Sequence, residues 1–281
     1  MTSLTVASRR LLGTLLATLF LASLATAAPA ADPANDPDGL VVAGDVGRAI
    51  AARNCSLAVD SLKNGLKKNS PSVSLLAGSM YEHGMCVKQD WSASFGFYTL
   101  AFEGGLKEAA ERLAAGYADP ANGPDIAAAL WWGRHGRSFQ LPGCTVTREA
   151  ADDPDRFVAE LATWSQAHLA GCNYIIGVMS MITAELKYPT RGIDQRLGGE
   201  FTLRFLPGQA RVEVKRGETR EYVLLGWIDD DALGERRKNQ VTNIFEKALG
   251  DIANRALARY PQPAGIPAET QIEVKYNFGM N

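Results

Sequence analysis

The sequence has no excess of positive charge. Its 281 residues carry 29 lysines and arginines against 31 acids, a net charge of −2. A chain so balanced has no electrostatic grip on a phosphate backbone, so nucleic-acid binding is not expected. No acidic block marks a charged disordered tail. Histidine is scarce: His83, His135 and His168 are the only three, and each reads as a surface or packing residue. There is no GxSxG elbow, no HExxH pair and no phosphate-binding glycine loop. No catalytic residue and no cofactor is therefore expected. Cysteine is limited to Cys55, Cys86, Cys144 and Cys172. None are spaced as CxxC, and no histidine is read as close enough in sequence to complete a zinc pattern, so no metal site is expected. Asp229-Asp230-Asp231 offers oxygens to a cation but reads better as a solvated loop. Trp131-Trp132 reads as packing against the next helix rather than as a ligand platform.

Long apolar runs are also few. Arg9 and Arg10 precede an almost wholly apolar stretch over residues 11–24, followed by Ala25-Thr26-Ala27 and Ala28-Pro29-Ala30. This basic, apolar, small order is that of a secretory signal over residues 1–30. The run is shorter than the ~20 residues of a membrane span. Cleavage near Ala28 removes two arginines and no acid, taking the net charge to −4. No second stretch reads as long enough to cross a membrane, so a soluble periplasmic protein with no span after cleavage is expected. An even cysteine count in an exported chain reads as two disulfides. The "LPGC" at residues 141–144 is not a lipoprotein box, because no apolar run precedes it.

What is present is helical periodicity. From Asp45, the residues Ile50, Leu57, Ala58, Val59 and Leu62 recur at helical spacing, with Gly65 as a stop. Residues 72–83 make a second helix, whose small Ala77 and Gly78 permit close approach and which Gly84 ends. Asp90 opens a helix through Ala93, Phe97 and Ala101, and residues 106–117 form the next. Tyr81 and Tyr117 lie one 36-residue period apart, and Asp90 and Asp125 open equivalent helices, a repeat in the solenoid range. Cys55 in the first helix and Cys86 just past the second sit at similar distances along antiparallel neighbours. Hairpin geometry thus favours Cys55–Cys86, which leaves Cys144–Cys172.

The stretch "LLAGSMYEHGMCVKQDWSASFGFYTLAFEGGLKEAAERLAAGYADP" resembles the Sel-one-like repeat, a relative of the tetratricopeptide repeat, over about residues 45–137. The third unit departs from the pattern, with Pro120 in place of the glycine and Trp131-Trp132 on the helix face. The resemblance implies a protein-binding scaffold without catalysis.

Residues 134–153 read as a long loop. Asp153-Pro154 starts a helix on which Phe157, Leu161, Trp164 and His168 share one face, and residues 174–186 read as a buried core helix. Beyond it the period changes. Phe201, Leu203 and Phe205 alternate with Thr202 and Arg204, and Val212 and Val214 alternate after the Pro207-Gly208 turn. Residues 222–228 read as a further strand. Residues 241–260 form an amphipathic helix that Pro261 and Pro263 stop, and Ile272, Val274, Tyr276 and Phe278 alternate on one face of a last strand. The helix can cover one face of a small antiparallel sheet.

Tyr188-Pro189, Gly199, the alternating strand, the hairpin, Tyr260-Pro261-Gln262-Pro263 and the closing strand resemble, in that order, the C-terminal domain of TonB-like proteins, over about residues 186–279. A membrane anchor and proline-rich spacer are missing, and a charged insertion lies at residues 229–240. The expected fold is therefore multidomain: a signal peptide at 1–30, an all-α helical-repeat solenoid at 31–140, connecting loop and helices at 141–186, and a small α+β domain with an antiparallel sheet at 187–281.

The function expected is that of a noncatalytic periplasmic protein–protein interaction adaptor in a Gram-negative cell envelope. Its partner is a protein or peptide, received along Ile272, Glu273, Val274, Lys275 and Tyr276. The alternative is a component of outer-membrane transport contacting TonB-dependent receptors, and a third reading is an envelope hydrolase.

Overall fold

A single carboxylate, Asp36, starts two helices. The computed structural model describes residues 36–136, 141, 143–224 and 226–279; the expected signal segment lies outside them. Asp36 accepts from the backbone N–H of Gly39 at 3.0 Å, in the first turn of α1 (Pro37–Ala51). Its other oxygen accepts from the Ser70 hydroxyl at 2.7 Å and the Ser72 N–H at 3.1 Å, at the start of α3 (Pro71–His83). Burial pushes the Asp36 carboxyl up, but these hydrogen bonds outweigh it and hold the group below its ordinary value. Replacing Asp36 by alanine orphans helix-start donors on both elements. The expected loss is about 2 kcal/mol, roughly one cap per helix, read as a lower urea midpoint at unchanged slope. A loss below about 0.5 kcal/mol would mean that water replaces the carboxylate.

The first helical run is two helices rather than one. Arg53 takes a left-handed φ of 57°, which breaks the helix, and Asn54 caps α2 (Cys55–Leu66) through the Leu57 N–H. Two hairpins follow: α3 with α4 (Trp91–Glu103), and α5 (Glu108–Ala118) with α6 (Ile126–His135). They share local bonds. The Asp90 N–H donates to Tyr81 O at 3.0 Å, and the Asp125 N–H to Tyr117 O at 2.9 Å. Each aspartate then caps its helix, at Ala93 and Ala128. Gly78 lies against the Tyr98 ring, where a Cβ would overlap it. Both disulfides form as hairpin geometry and elimination indicate: Cys55–Cys86 with Cα atoms 5.0 Å apart and Cys144–Cys172 at 5.5 Å. Each closes a loop of about thirty residues, worth about 3 kcal/mol. Such bridges belong to an oxidising, extracytoplasmic compartment.

The connecting segment holds α7 (Arg148–Ala151), α8 (Pro154–Leu161) and α9 (Gln166–Glu185). Phe157 and His168 do not share a helix, because Ser165 starts α9 afresh by accepting from the His168 N–H. The helix is long and apolar enough to cross a membrane by length and composition, which corrects the expectation that no second stretch is; yet most of it is buried inside the fold. One face meets α5 and α6, and another meets the C-terminal elements. A single buried cluster runs from Ala114 and Leu130 through Ile176 and Met179 to Phe201, Phe245 and Phe278.

After the short α10 (Thr190–Asp194) come β1 (Leu197–Leu206), β2 (Arg211–Val223), β3 (Gly226–Ile228), α11 (Glu235–Arg259) and β4 (Ile272–Phe278). The architecture is thus mostly helical, with a four-stranded antiparallel sheet near the C-terminus in the order β3-β2-β1-β4. The strand expected at 222–228 is divided: Tyr222 and Val223 end β2, and Gly226–Ile228 form β3, which pairs back on β2. The β1–β2 register shifts between Gly199 and Phe201, a bulge that lets β2 run on through charged residues with Thr219 fully buried among them. α11 starts six residues earlier than its apolar pattern indicates and packs across β1 and β2.

Candidate functional site

The closing strand β4 is an edge. It pairs with β1 from Phe205↔Ile272 to Gly199↔Phe278, and among the described residues no strand pairs with its other side. Side chains alternate along it. Ile272, Val274 and Phe278 are buried, Tyr276 is half-buried, and Glu273, Lys275 and Asn277 are exposed. Backbone direction follows from a single bond. The Tyr222 N–H donates to Arg196 O, so residue 196 points towards β2 and, two by two, residue 198 does also. Residues 199, 201, 203 and 205 then face β4, and bond with Phe278, Tyr276, Val274 and Ile272. Glu273, Lys275 and Asn277 consequently aim their N–H and C=O groups at the open side.

The five residues read from the sequence as partner-binding therefore divide. Glu273 and Lys275 present both backbone and side chain outward. Ile272, Val274 and Tyr276 are spent on β1 and the core. Burial pushes the Tyr276 phenol up to about 12; its oxygen lies 3.4 Å from the Thr183 hydroxyl on α9. Asn277, which the same alternation turns outward, belongs with that pair. Glu273 is held by Arg204 of β1 at 2.6 Å, and Arg204 also reaches Glu213 of β2 at 3.9 Å. These opposed charges stiffen the outer face, and charge along an edge discourages self-pairing. Behind the strand, Phe245 of α11 lies 4.5 Å from Phe278 and stacks on Phe201 at 5.4 Å. Tyr188 meets both Phe245 and Phe278, and its hydroxyl donates to Leu197 O. The Tyr-Pro pair thus anchors the start of β1.

The remaining sequence candidates resolve into packing and ion pairs. Trp131 sets its edge against Phe157 of α8 at 5.3 Å, and Trp132 meets Phe102 of α4 at 5.2 Å. Tyr81 stacks on Phe97 at 5.5 Å, and Tyr117 meets Trp91 and Phe95 edge-on. Within the aspartate run, Asp229 lies 3.7 Å from Arg220, while Asp230 pairs with the Thr219 hydroxyl and with Lys238 at 3.5 Å. Their oxygens already serve cations of the chain.

Two clusters were not legible as sites. The first is ionic and buried. Arg259, the last residue of α11, bonds Glu82 of α3 through Nη1 at 3.0 Å and Asp119 after α5 through Nε at 2.7 Å. The Glu82 side chain is 4% exposed and also accepts from the Tyr98 hydroxyl at 2.6 Å. Burial pushes the Glu82 carboxyl up, but the charges of Arg112, His83 and Arg259 and the Tyr98 bond outweigh it, so the group stays below its ordinary value. Arg259 bonds both acids at once, an arrangement that ties the end of α11 to α3 and to the end of α5.

The second cluster is Cys144, His168 and Cys172, whose ligand atoms lie within 4.8 Å of one another. The sequence reading of no nearby histidine needs correction here. His168 stands one helical turn before Cys172 on α9, so the i, i+4 spacing was the available signal.

Compared with known proteins, the chain matches no family model, no curated protein and no solved structure.

Proposed function

We propose that this chain is a noncatalytic periplasmic adaptor. Its helical hairpins, read as Sel-one-like repeats, form a scaffold, and its TonB-like sheet takes an extended peptide from an envelope protein as a fifth strand against β4. The observation that carries this reading is the open side of β4, with three outward backbone pairs at Glu273, Lys275 and Asn277. A strand added there gains affinity from main-chain bonds, while side chains tune specificity. The inward residues lock the receiving strand to β1 and the aromatic core, so the edge is rigid before the partner arrives.

Lys275→Pro tests this without touching the ladder to β1, because the lost N–H is an outward one. Proline is tolerated where the N–H faces away from the sheet. With a photo-crosslinking side chain at residue 273 in intact cells, the protein should capture one partner through an extended segment. Lys275→Pro should weaken that capture about tenfold, the effect of one backbone bond worth ~1.4 kcal/mol. Lys275→Ala, which keeps the donor, should change it little. Equal capture by the proline variant, with circular dichroism unchanged, would move binding to the hairpins around Tyr81 and Tyr117. A captured plug segment of an outer-membrane receptor would instead make the protein a transport component.

A further inference from the structure

The geometry points to a second site: when the Cys144–Cys172 disulfide is reduced, Cys144, Cys172 and His168 bind a zinc-class divalent ion, so that metal and disulfide are alternative occupants of one place. Two of the three ligands are preset by the helix. His168 and Cys172 are four residues apart on α9 and therefore share a face. The disulfide brings the third, Cys144, from the loop before α7. The two sulfurs and a ring nitrogen of His168 lie within 4.8 Å of one another, and a tetrahedral ion with bonds of about 2.0–2.3 Å needs roughly 3.7 Å between ligands, a difference on the scale of side-chain rotations.

The imidazole is prepared for the role. Its Nε2 lies 2.6 Å from the Gly143 carbonyl oxygen. A carbonyl only accepts, so Nε2 donates the proton there, and a metal taken through Nδ1 leaves that bond in place. Metal-bound histidines are oriented by such a bond from the other ring nitrogen. The ring is also stacked on Trp164 at 4.5 Å and 10°. An entry path exists: a cleft of about 340 Å³ is lined by Gly143, Cys144, His168, Cys172 and Ile266, and His168 faces solvent. Two thiolates and one imidazole suit zinc and leave a fourth position open to a ligand from the cleft.

The exchange balances with a dithiol as co-reactant. Its thiolate attacks Cys144 Sγ and Cys172 leaves as a thiolate. The second thiol of the reductant then closes its own disulfide and releases Cys144. Two electrons pass to the protein, and the incoming divalent ion displaces two thiol protons to solvent.

The test is zinc titration of the full mature chain before and after phosphine reduction, with Co²⁺ as a spectroscopic probe. Reduced wild type should bind one equivalent and show thiolate-to-cobalt charge-transfer absorption, and the oxidised protein should show neither. Cys144→Ser/Cys172→Ser should lose the signal, and His168→Ala should bind at least about tenfold more weakly. Absence of binding by the reduced wild type, or loss of its helical signal on reduction, would overturn the inference. Zinc retained by the double serine variant would place the metal away from Cys144 and Cys172 and overturn it equally.

Discussion

Arg259→Ala should lower the unfolding free energy by about 3–5 kcal/mol, the cost of removing one partner from a buried ion pair. The loss is not that of the bonds alone. Glu82 and Asp119 stay behind, both largely shielded from water, and a buried unpaired carboxylate is costly. Arg259→Lys keeps the charge but cannot serve Nε and Nη1 partners at once, so it should fall between. The pH dependence carries the sign. In the wild type, the folded-state pKa of Glu82 is depressed from its ordinary value near 4.5. Its contribution is therefore complete above that value and lost as pH falls through the depressed one. Without Arg259 the opposing burial is less balanced and the folded-state pKa rises. The gap between wild type and variant should narrow on acidification. Urea unfolding from pH 7 to pH 3 measures both. A difference under 1 kcal/mol at pH 7, or one that widens with acid, would show that the cluster is solvated and does not fasten α11 to the hairpins.

Gly177→Ala should destabilise although alanine is the better helix former. In an open helix the exchange gains up to about 1 kcal/mol. Gly177 lies mid-way along α9, and a Cβ there would stand 2.6 Å from ring carbons of Tyr260 and 3.1 Å from the Ala118 Cβ. Neither neighbour can yield cheaply. Tyr260 is 2% exposed and its hydroxyl donates to Ala115 O at 2.7 Å. Gly177→Val should cost about 3 kcal/mol, the upper part of the usual range for overpacking. Because the displaced Tyr260 adjoins Arg259, the double variant with Arg259→Ala should fall short of additivity. Stabilisation by Gly177→Ala would place α9 farther from α11 than the structure has it.

Much of the fold is local and was legible as such. Asp90, Asp125 and Asp153 cap helices because a short polar side chain before an apolar period reaches the free N–H groups beyond it. Alternation in β1 and β4 marks which face each strand buries, since the period of two leaves no other assignment. Cys55 and Cys86 were placed opposite each other by the same reasoning about one hairpin. Even the outward set Glu273 and Lys275 follows from alternation.

Tertiary structure decided what periodicity cannot carry. No local signal places an arginine against a glutamate 177 residues away, or sets a glycine of one helix under the ring of a tyrosine in another. The break at Arg53 is a backbone conformation, not a composition, and the apolar pattern runs through it. The reach of β2 depends on a bulge that turns Thr219 inward among charged neighbours. The sequence by itself determined where most helices and strands lie and which of their faces seek burial. The meeting of those faces on both sides of α9, and the open side of β4, depend on contacts between distant segments, which packing in three dimensions selects.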